Sequence, residues 1–164
     1  ADSPDYIKSA SEWNALPDSL EAIAKLTRAG FTVIVASNQS GLGRGLFDAD
    51  ELESIHQKML HEVSVAGGEI AAIYFCPHRP DENCDCRKPQ PGLLQQIAAD
   101  RQITMLDVPV IGDSARDLEA ARAMGARPIL VLTGNGEKTL ASGDPVKEVF
   151  ENLDQVADAL ISEY

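Results

Sequence analysis

The sequence has no long apolar segment, and we do not expect its opening stretch to be a leader. Its 164 residues contain no run of about 18 apolar residues, so we expect no transmembrane helix. The opening stretch, ADSPDYIKSASEW, lacks the basic start and apolar centre of a secretory signal peptide. Apolar residues make up 44% and charged residues 24%, which is ordinary for a globular protein with a sizeable core. We therefore expect a single domain over residues 1–164.

Basic residues are scarce. The chain has 14 Lys and Arg against 26 Asp and Glu, and its net charge is −12. Such a charge disfavours binding to a phosphate backbone, so we expect no nucleic-acid partner. We also expect no membrane partner and predict a freely diffusing monomer.

Cysteines are few, and all three lie between Cys76 and Cys86. An odd number in so short a stretch does not suit a disulfide framework and favours a reducing, cytoplasmic location. Together with His78, the residues Cys76, Cys84 and Cys86 offer three sulfurs and one imidazole, a closed set that suits a structural, tetrahedral zinc ion. A loop of unligated thiols and a Cys-x-Cys redox pair are the alternatives. The other two histidines, His56 and His61, are interpreted as surface residues of a helix.

Helices and strands alternate along the chain. Helical spacing and end signals predict helices over 17–30, 48–68, 91–103 and 115–124. Short apolar runs predict strands over 31–37, 69–76, 108–112 and 127–134, and the tail from about 145 to 163 predicts one or two weaker helices. This order predicts a parallel sheet covered by helices on both faces, with ligands beyond the carboxyl ends of the strands.

Three polar loops follow strand ends, at 37–44, 76–88 and 113–117, and we expect them to converge. Ser37 begins a stretch, SNQSG, that could form an anion cradle or an ordinary polar turn. Arg87 and Lys88 could contact a phosphate or be solvated cations. Asp113 and Asp117, in GDSARD, could form a hard-oxygen site for Mg²⁺, or this segment could simply cap the following helix.

The order strand-Ser, then Lys, then Gly-Asp-x-x-x-Asp resembles the haloacid dehalogenase (HAD) superfamily of phosphotransferases over nearly the whole chain. The resemblance implies an α/β, HAD-like (Rossmannoid) three-layer sandwich with a mostly parallel central sheet and a zinc-stabilised loop. No cap domain is expected, because the interval 46–75 holds only one helix and one strand. The resemblance further implies that Ser37 and Lys88 bind the transferring phosphoryl group. Asp113 would then be a Mg²⁺ ligand and Asp117 a supporting carboxylate.

Within the superfamily, SNQSGLGRG, CPHRPDENCDCRKPQPG and LTGNGEKTL are similar to the heptose-bisphosphate phosphatases of lipopolysaccharide precursor synthesis. The histidinol-phosphatases, which carry a related zinc loop, are the alternative. The resemblance implies Mg²⁺-dependent phosphate removal through an aspartyl-phosphate. Substrate contacts are expected from Asn38, Gln39, Ser40, Arg44, Arg87, Ser114, Asp2 and Tyr6.

One defining HAD motif, Asp-x-Asp-Gly with its nucleophilic first Asp, does not occur in the 164 residues. Asp48-Ala49-Asp50 lacks the glycine and suits the start of a helix better. We therefore expect the motif, with a central first strand, to lie within roughly a dozen residues ahead of Ala1. The 164 residues alone are then expected to be inactive. If the nucleophile is truly absent, the alternative is a non-catalytic zinc module that binds a phosphorylated ligand.

Overall fold

The computed structural model describes residues 17–38, 49–76 and 88–163. Within these ranges the helices are α1 (Pro17–Arg28), α2 (Ala49–Val65), α3 (Gly92–Arg101), α4 (Ala115–Ala123), α5 (Gly136–Ala141) and α6 (Leu153–Ser162). The strands in the same ranges are β1 (Val33–Asn38), β2 (Ile70–Cys76), β3 (Pro109–Gly112), β4 (Arg127–Val131) and β5 (Glu148–Phe150). None of the described helices is long and apolar enough to span a bilayer.

The described residues divide into two compact units. The two-stranded unit comprises 17–38, 49–76 and 152–163, and the three-stranded unit comprises 88–151. All strand pairs in both are parallel, as the apolar runs predicted. The described strands thus form two sheets, whereas the sequence predicted one. That prediction included a central first strand ahead of residue 1, and both this strand and the single domain stay predictions.

In the two-stranded unit, β1 pairs with β2, so that Asn38 lies opposite Cys76 at the carboxyl ends of the strands. Helix α1 packs against α6. The apolar face of α1 buries Ala24 and Leu26, while α6 buries Leu160. Burial of a leucine side chain contributes about 1.5–3 kcal/mol, so this helix pair is a substantial part of the unit's core.

His56 corrects the interpretation of both histidines as surface residues. It is only 8% exposed, on the inner side of α2, whereas His61 is exposed as expected. The His56 ring meets Phe75 edge-on, with ring centroids 5.6 Å apart. Burial lowers the pKa of His56, outweighing the opposite effect of the Glu53 carboxylate. The missed signal is helical periodicity, because Ile55 and Val63 are also buried and place this side of α2 in the core.

In the three-stranded unit, the sheet order is β3-β4-β5. Strand β4 lies in the middle and buries Ile129, Leu130 and Val131 in succession, the continuous apolar pattern of a strand covered on both faces. Helix α4 connects β3 to β4 and packs against both. The sheet therefore presents the carboxyl end of β3 together with the start of α4, where the predicted GDSARD segment lies.

Two short elements differ from the prediction. The segment 136–141 forms α5, which was not predicted, and 148–150 is a strand in a tail that was predicted to be helical. Elements of six and three residues are too short for either hydrophobic period to show. Their structure is set by pairing with β4 and by the loop that follows it. The helix predicted for the end of the tail is confirmed as α6.

Candidate active site

Four predicted site residues come together in the three-stranded unit, where β3 passes into α4. Strand β3 ends at Gly112, and Asp113 and Ser114 follow before the helix begins. Ser114 has extended backbone angles and is the N-cap of α4. Asp117 lies in the first turn of that helix, and Lys88 reaches it from the segment that precedes α3. This junction brings one cation and two carboxylates to the carboxyl end of a parallel strand.

Asp117 is the centre of this hydrogen-bond network. Its Oδ2 accepts from the backbone N–H of Asp113 at 3.2 Å and from that of Ser114 at 3.3 Å. The same oxygen accepts from the Ser114 hydroxyl at 3.0 Å. The Ser114 hydroxyl in turn accepts from the Asp117 N–H, which completes a capping box. The structure therefore gives Ser114 the capping role, and its predicted contact with substrate stays a prediction.

The second oxygen of Asp117 binds Lys88. The Lys88 Nζ lies 2.7 Å from Asp117 Oδ1, and the two side chains are only 18% and 13% exposed. Burial by itself would raise the pKa of Asp117, but the Lys88 ammonium and the hydrogen bonds from Lys88 and Ser114 bring the pKa below its ordinary value. Asp117 is therefore ionised at neutral pH. With Oδ1 on the Lys88 ammonium and Oδ2 on the Asp113 and Ser114 backbone, Asp117 orients its neighbours at this junction.

Gly112 makes this arrangement possible. A Cβ added at residue 112 would overlap the Asp117 side chain. The glycine in Gly-Asp-x-x-x-Asp is thus needed for the close approach of the helix carboxylate to the strand end, not for an unusual backbone angle.

Asp113 has the character of a cation ligand. It is only 9% exposed, and its Oδ2 accepts from the Asn135 N–H at 3.0 Å. Within the described ranges, no hydrogen bond or ion pair reaches its Oδ1. A buried carboxylate with one oxygen unused is costly unless a cation or other partner meets it. Hard oxygen donors of this kind fit Mg²⁺, so Asp113 is the residue that would hold it.

Two residues of this site were missed by sequence reasoning, Asn135 and Thr139. Both follow β4, in the stretch LTGNGEKTL, and both bind Asp113. The signal was present, because ligand-binding loops follow the carboxyl ends of parallel strands and β4 is such a strand. Site residues were predicted in the loops after the other three strands, whereas LTGNGEKTL contributed only to the family resemblance.

The remaining predicted residues are described only in part or not at all. Ser37 and Asn38 are the last residues of β1, and they lie opposite Phe75 and Cys76 of β2. The structure describes the backbone of Ser37 and Asn38 but not their side chains. Cys76 is fully buried at the end of β2. The other predicted residues lie outside the described ranges: Asp2, Tyr6, Gln39, Ser40, Arg44, His78, Cys84, Cys86 and Arg87. Within those ranges no group of three or more His, Cys, Asp or Glu side chains could hold a metal ion.

Comparison with known proteins defines the class. A family model described as HAD-hydrolase-like matches residues 85–159, which contain the whole Lys88–Asp113–Asp117 site. A putative HAD-like phosphatase from Mesorhizobium loti shares the fold with a TM-score of 0.78 at 22% identity, covering 96% of this chain and 79% of that one. The fold is that of the HAD-like hydrolases.

More similar relatives narrow the class. D-glycero-beta-D-manno-heptose-1,7-bisphosphate 7-phosphatase of Bordetella bronchiseptica is 51% identical over 99% of this chain and 92% of its own length. The Pseudomonas aeruginosa enzyme of the same name is 48% identical over 98% of this chain and 90% of its own. The crystal structure of the B. bronchiseptica enzyme contains magnesium and phosphate. It matches the structure of this chain with a TM-score of 0.96 at 50% identity, over all of this chain and 93% of its own. The chain belongs to the family of D-glycero-β-D-manno-heptose-1,7-bisphosphate 7-phosphatases.

Proposed function

We propose that the protein is a Mg²⁺-dependent phosphatase that removes the 7-phosphate from D-glycero-β-D-manno-heptose 1,7-bisphosphate. The observation that carries the proposal is the junction of β3 and α4. There a buried carboxylate with an unused oxygen, Asp113, lies next to a lysine that is held in place by Asp117. Membership of a family of phosphoric monoester hydrolases supplies the reaction class.

Each residue of the junction has a distinct part in this proposal. Lys88 neutralises charge on the non-bridging oxygens of the transferring phosphoryl group. Asp117 keeps the Lys88 ammonium in place, and Asp113 holds the metal. Mg²⁺, when bound, stabilises negative charge on the phosphoryl group as a Lewis acid.

The proposed route is an aspartyl-phosphate mechanism. A carboxylate in the Asp-x-Asp segment expected ahead of residue 1 attacks phosphorus, forming one O–P bond while the P–O bond to the sugar breaks. The second Asp of that segment protonates the leaving sugar oxygen, and water then hydrolyses the acyl phosphate. Ser37 is proposed, from its position at the end of β1, to donate a hydrogen bond to the phosphoryl group. The reaction belongs to the full-length protein.

We further propose that Cys76, His78, Cys84 and Cys86 bind a structural zinc ion. Cys76, at the end of β2, is fully buried, which favours a zinc ligand that is shielded from solvent. The loop would thereby fix Arg87 and Lys88, which follow Cys86 directly. The proposed cellular role is lipopolysaccharide precursor synthesis in the cytoplasm.

Phosphate release from a substrate panel tests this function. Full-length protein is incubated with heptose 1,7-bisphosphate or histidinol phosphate, with Mg²⁺ or with a chelator. We expect release from the heptose bisphosphate only, and only with Mg²⁺. Preference for histidinol phosphate would indicate the related activity, and tight binding of either substrate without release would indicate a non-catalytic module.

A further inference from the structure

Asp113 is held at two points by one turn of helix α5. The backbone N–H of Asn135, which precedes the helix, donates to Asp113 Oδ2 at 3.0 Å. The Thr139 hydroxyl, four residues later, donates to the Asp113 backbone carbonyl at 2.8 Å. The Thr139 N–H closes the turn on the Asn135 carbonyl at 3.0 Å. Side chain and main chain of Asp113 are thus bound by donors whose spacing is fixed by a single helical turn.

This turn is itself fixed to the sheet. The Leu132 N–H, just after β4, donates to the Phe150 carbonyl at the end of β5 at 2.9 Å. A side chain at Gly136 would overlap the Val131 carbonyl, so α5 starts in close contact with the end of β4. The turn therefore transmits the position of the strand ends to Asp113.

Thr139 is buried, with 8% of its surface exposed, and so is the carbonyl that it binds. That carbonyl follows β3 and precedes the first helical turn of α4, so neither element supplies it with a donor. Without the Thr139 hydroxyl a buried carbonyl would lack a partner, and the Asp113 backbone would have to shift to find one. A shift of this backbone moves the carboxylate.

We infer that Thr139 is a positioning residue for the Mg²⁺-binding carboxylate of Asp113. The Thr139 hydroxyl binds the main chain of Asp113, while the backbone N–H of Asn135 binds one oxygen of its carboxylate. The other oxygen would then be available to the metal. The inference rests on the proposed function in taking Asp113 as the metal ligand. Groups that orient metal ligands typically contribute about 10–100-fold to metal affinity.

Mg²⁺ binding by the full-length protein tests the inference without turnover. The rise in the midpoint of thermal unfolding is followed as Mg²⁺ alone is added, because a ligand that binds only the folded state stabilises it according to its affinity. Thr139→Val keeps the shape and removes the hydroxyl, and we expect it to weaken Mg²⁺ binding about tenfold. Thr139→Ser keeps the hydroxyl and is expected to bind Mg²⁺ within about threefold of wild type, a loss well short of that produced by removing the hydroxyl.

Thr27→Val is the matched control. The Thr27 hydroxyl also donates to a backbone carbonyl, that of Ile23, at 2.8 Å, but it lies in the two-stranded unit. Its loss should lower the unfolding midpoint and leave Mg²⁺ affinity unchanged. The Mg²⁺ concentration for half-maximal phosphate release should follow the same pattern, rising for Thr139→Val and not for Thr27→Val.

The outcomes separate this inference from the proposed function. Wild-type Mg²⁺ affinity in folded Thr139→Val, with Mg²⁺ binding lost in Asp113→Ala, would overturn the positioning role alone. Undiminished Mg²⁺ binding in Asp113→Ala would instead refute the metal assignment. If Thr139→Val does not fold, Thr139→Ala tests the same loss of the hydroxyl. If Thr139→Ala does not fold either, Thr139→Ser decides, because it keeps the hydroxyl. A tenfold loss of Mg²⁺ affinity in Thr139→Ser would contradict a role for the hydroxyl.

Discussion

The Asp117 carboxylate organises two other residues of the predicted site, Lys88 and Asp113. Asp117 holds the Lys88 ammonium with one oxygen and the Asp113 and Ser114 backbone with the other. A displacement of Asp117 would move the cation and the metal ligand together. We therefore expect the proposed functions of Lys88 and Asp113 in phosphoryl transfer to be coupled through Asp117.

Replacing Lys88 or Asp113 with alanine should abolish phosphatase activity in the full-length protein. Loss of one preorganised charge at a developing phosphoryl charge lowers kcat by about 10²–10³ or more. Lys138→Ala is the control, because Lys138 is an exposed lysine of the same unit. Steady-state phosphate release measures all three, and wild-type kcat in either site variant would be incompatible with the proposed site.

His56 should make the folded protein sensitive to mild acid. Burial lowers its pKa, so below the unfolded-state pKa of about 6.5 the unfolded chain binds a proton more readily than the folded protein does. The free energy of unfolding should fall as the pH drops through this value, and level off once folded His56 is also protonated. Urea unfolding at pH 7.5 and 5.5 should show a smaller loss for His56→Gln than for wild type. His61→Gln, an exposed histidine on the same helix, should behave as wild type, and an equal loss in all three proteins would exclude His56 as the cause.

At the scale of elements, the junction of β3 and α4 is both a helix start and the predicted site. The capping box formed by Ser114 and Asp117 fixes the first turn of α4, and Lys88 then adds an ion pair to the same carboxylate. Ordinary helix-capping chemistry therefore positions the functional groups. The capping interpretation of GDSARD is thus confirmed for Ser114. The interpretation of Asp113 as a metal ligand stays a prediction, which its unused carboxylate oxygen favours.

Asp117→Asn should destabilise this junction. The substitution removes the charge that pairs with the partly buried Lys88 ammonium, and hydrogen bonds to charged groups contribute about 1.5–3 kcal/mol. We expect a loss of about 2 kcal/mol in the free energy of unfolding at pH 7, together with a lower kcat. Because the pKa of Asp117 is lowered in the folded state, its contribution is present above the unfolded-state pKa and lost as the pH falls through the folded-state pKa. The difference from wild type should therefore shrink in strong acid.

Glu119→Gln is the matched control for this prediction. Glu119 is an exposed acid of α4, so its substitution should change the free energy of unfolding very little. Chemical denaturation followed by circular dichroism measures both variants. Equal stabilities of Asp117→Asn and Glu119→Gln would show that the Lys88–Asp117 pair adds nothing to the fold.

How far the sequence predicts each element depends on its length and on its neighbours. Helix α1 was predicted over 17–30 and ends at Arg28, and β2 was predicted over 69–76 and begins at Ile70. Periodicity and end signals specify such elements locally. In contrast, β5 exists because its three residues pair with β4, and α5 because the loop after β4 turns back on the sheet. Neither contact is encoded in the local pattern.

The site shows the same division. Asp113, Asp117 and Lys88 were predicted because their residue types and order carry the chemistry. Their interactions depend on residues that are distant in the chain. Asp117 binds Lys88, 29 residues before it, and the backbone N–H of Asn135 binds Asp113, 22 residues before it. Thr139 acts through a hydroxyl that is unremarkable in sequence, and only the fold brings it to the Asp113 carbonyl.

At the scale of the whole molecule, zinc and magnesium have separate proposed tasks. Zinc would order the loop that carries Arg87 and Lys88, whereas magnesium would act at Asp113. The chemistry is thus assigned to the oxygen site, and the cysteine loop is assigned a supporting role. This division predicts that loss of zinc impairs catalysis indirectly.

Substitution of a zinc ligand should lower both zinc content and activity. Cys84→Ser, Cys86→Ser and His78→Gln each remove a ligand of the proposed tetrahedral site, so we expect less than one zinc per chain and reduced phosphate release. His61→Gln controls for loss of a histidine that is not a ligand. Metal analysis by mass spectrometry and activity assays measure the effect. Full activity in zinc-free protein would show that the loop does not depend on the metal to place Arg87 and Lys88.

The most direct measurement of the central claim is ³¹P NMR of heptose 1,7-bisphosphate during incubation with full-length protein and Mg²⁺. We predict that the signal of the 7-phosphate decays into inorganic phosphate while that of the 1-phosphate persists, and that Asp113→Ala leaves both signals unchanged. Persistence of the 7-phosphate with active, Mg²⁺-loaded wild-type protein, or loss of the 1-phosphate in its place, would contradict the assignment.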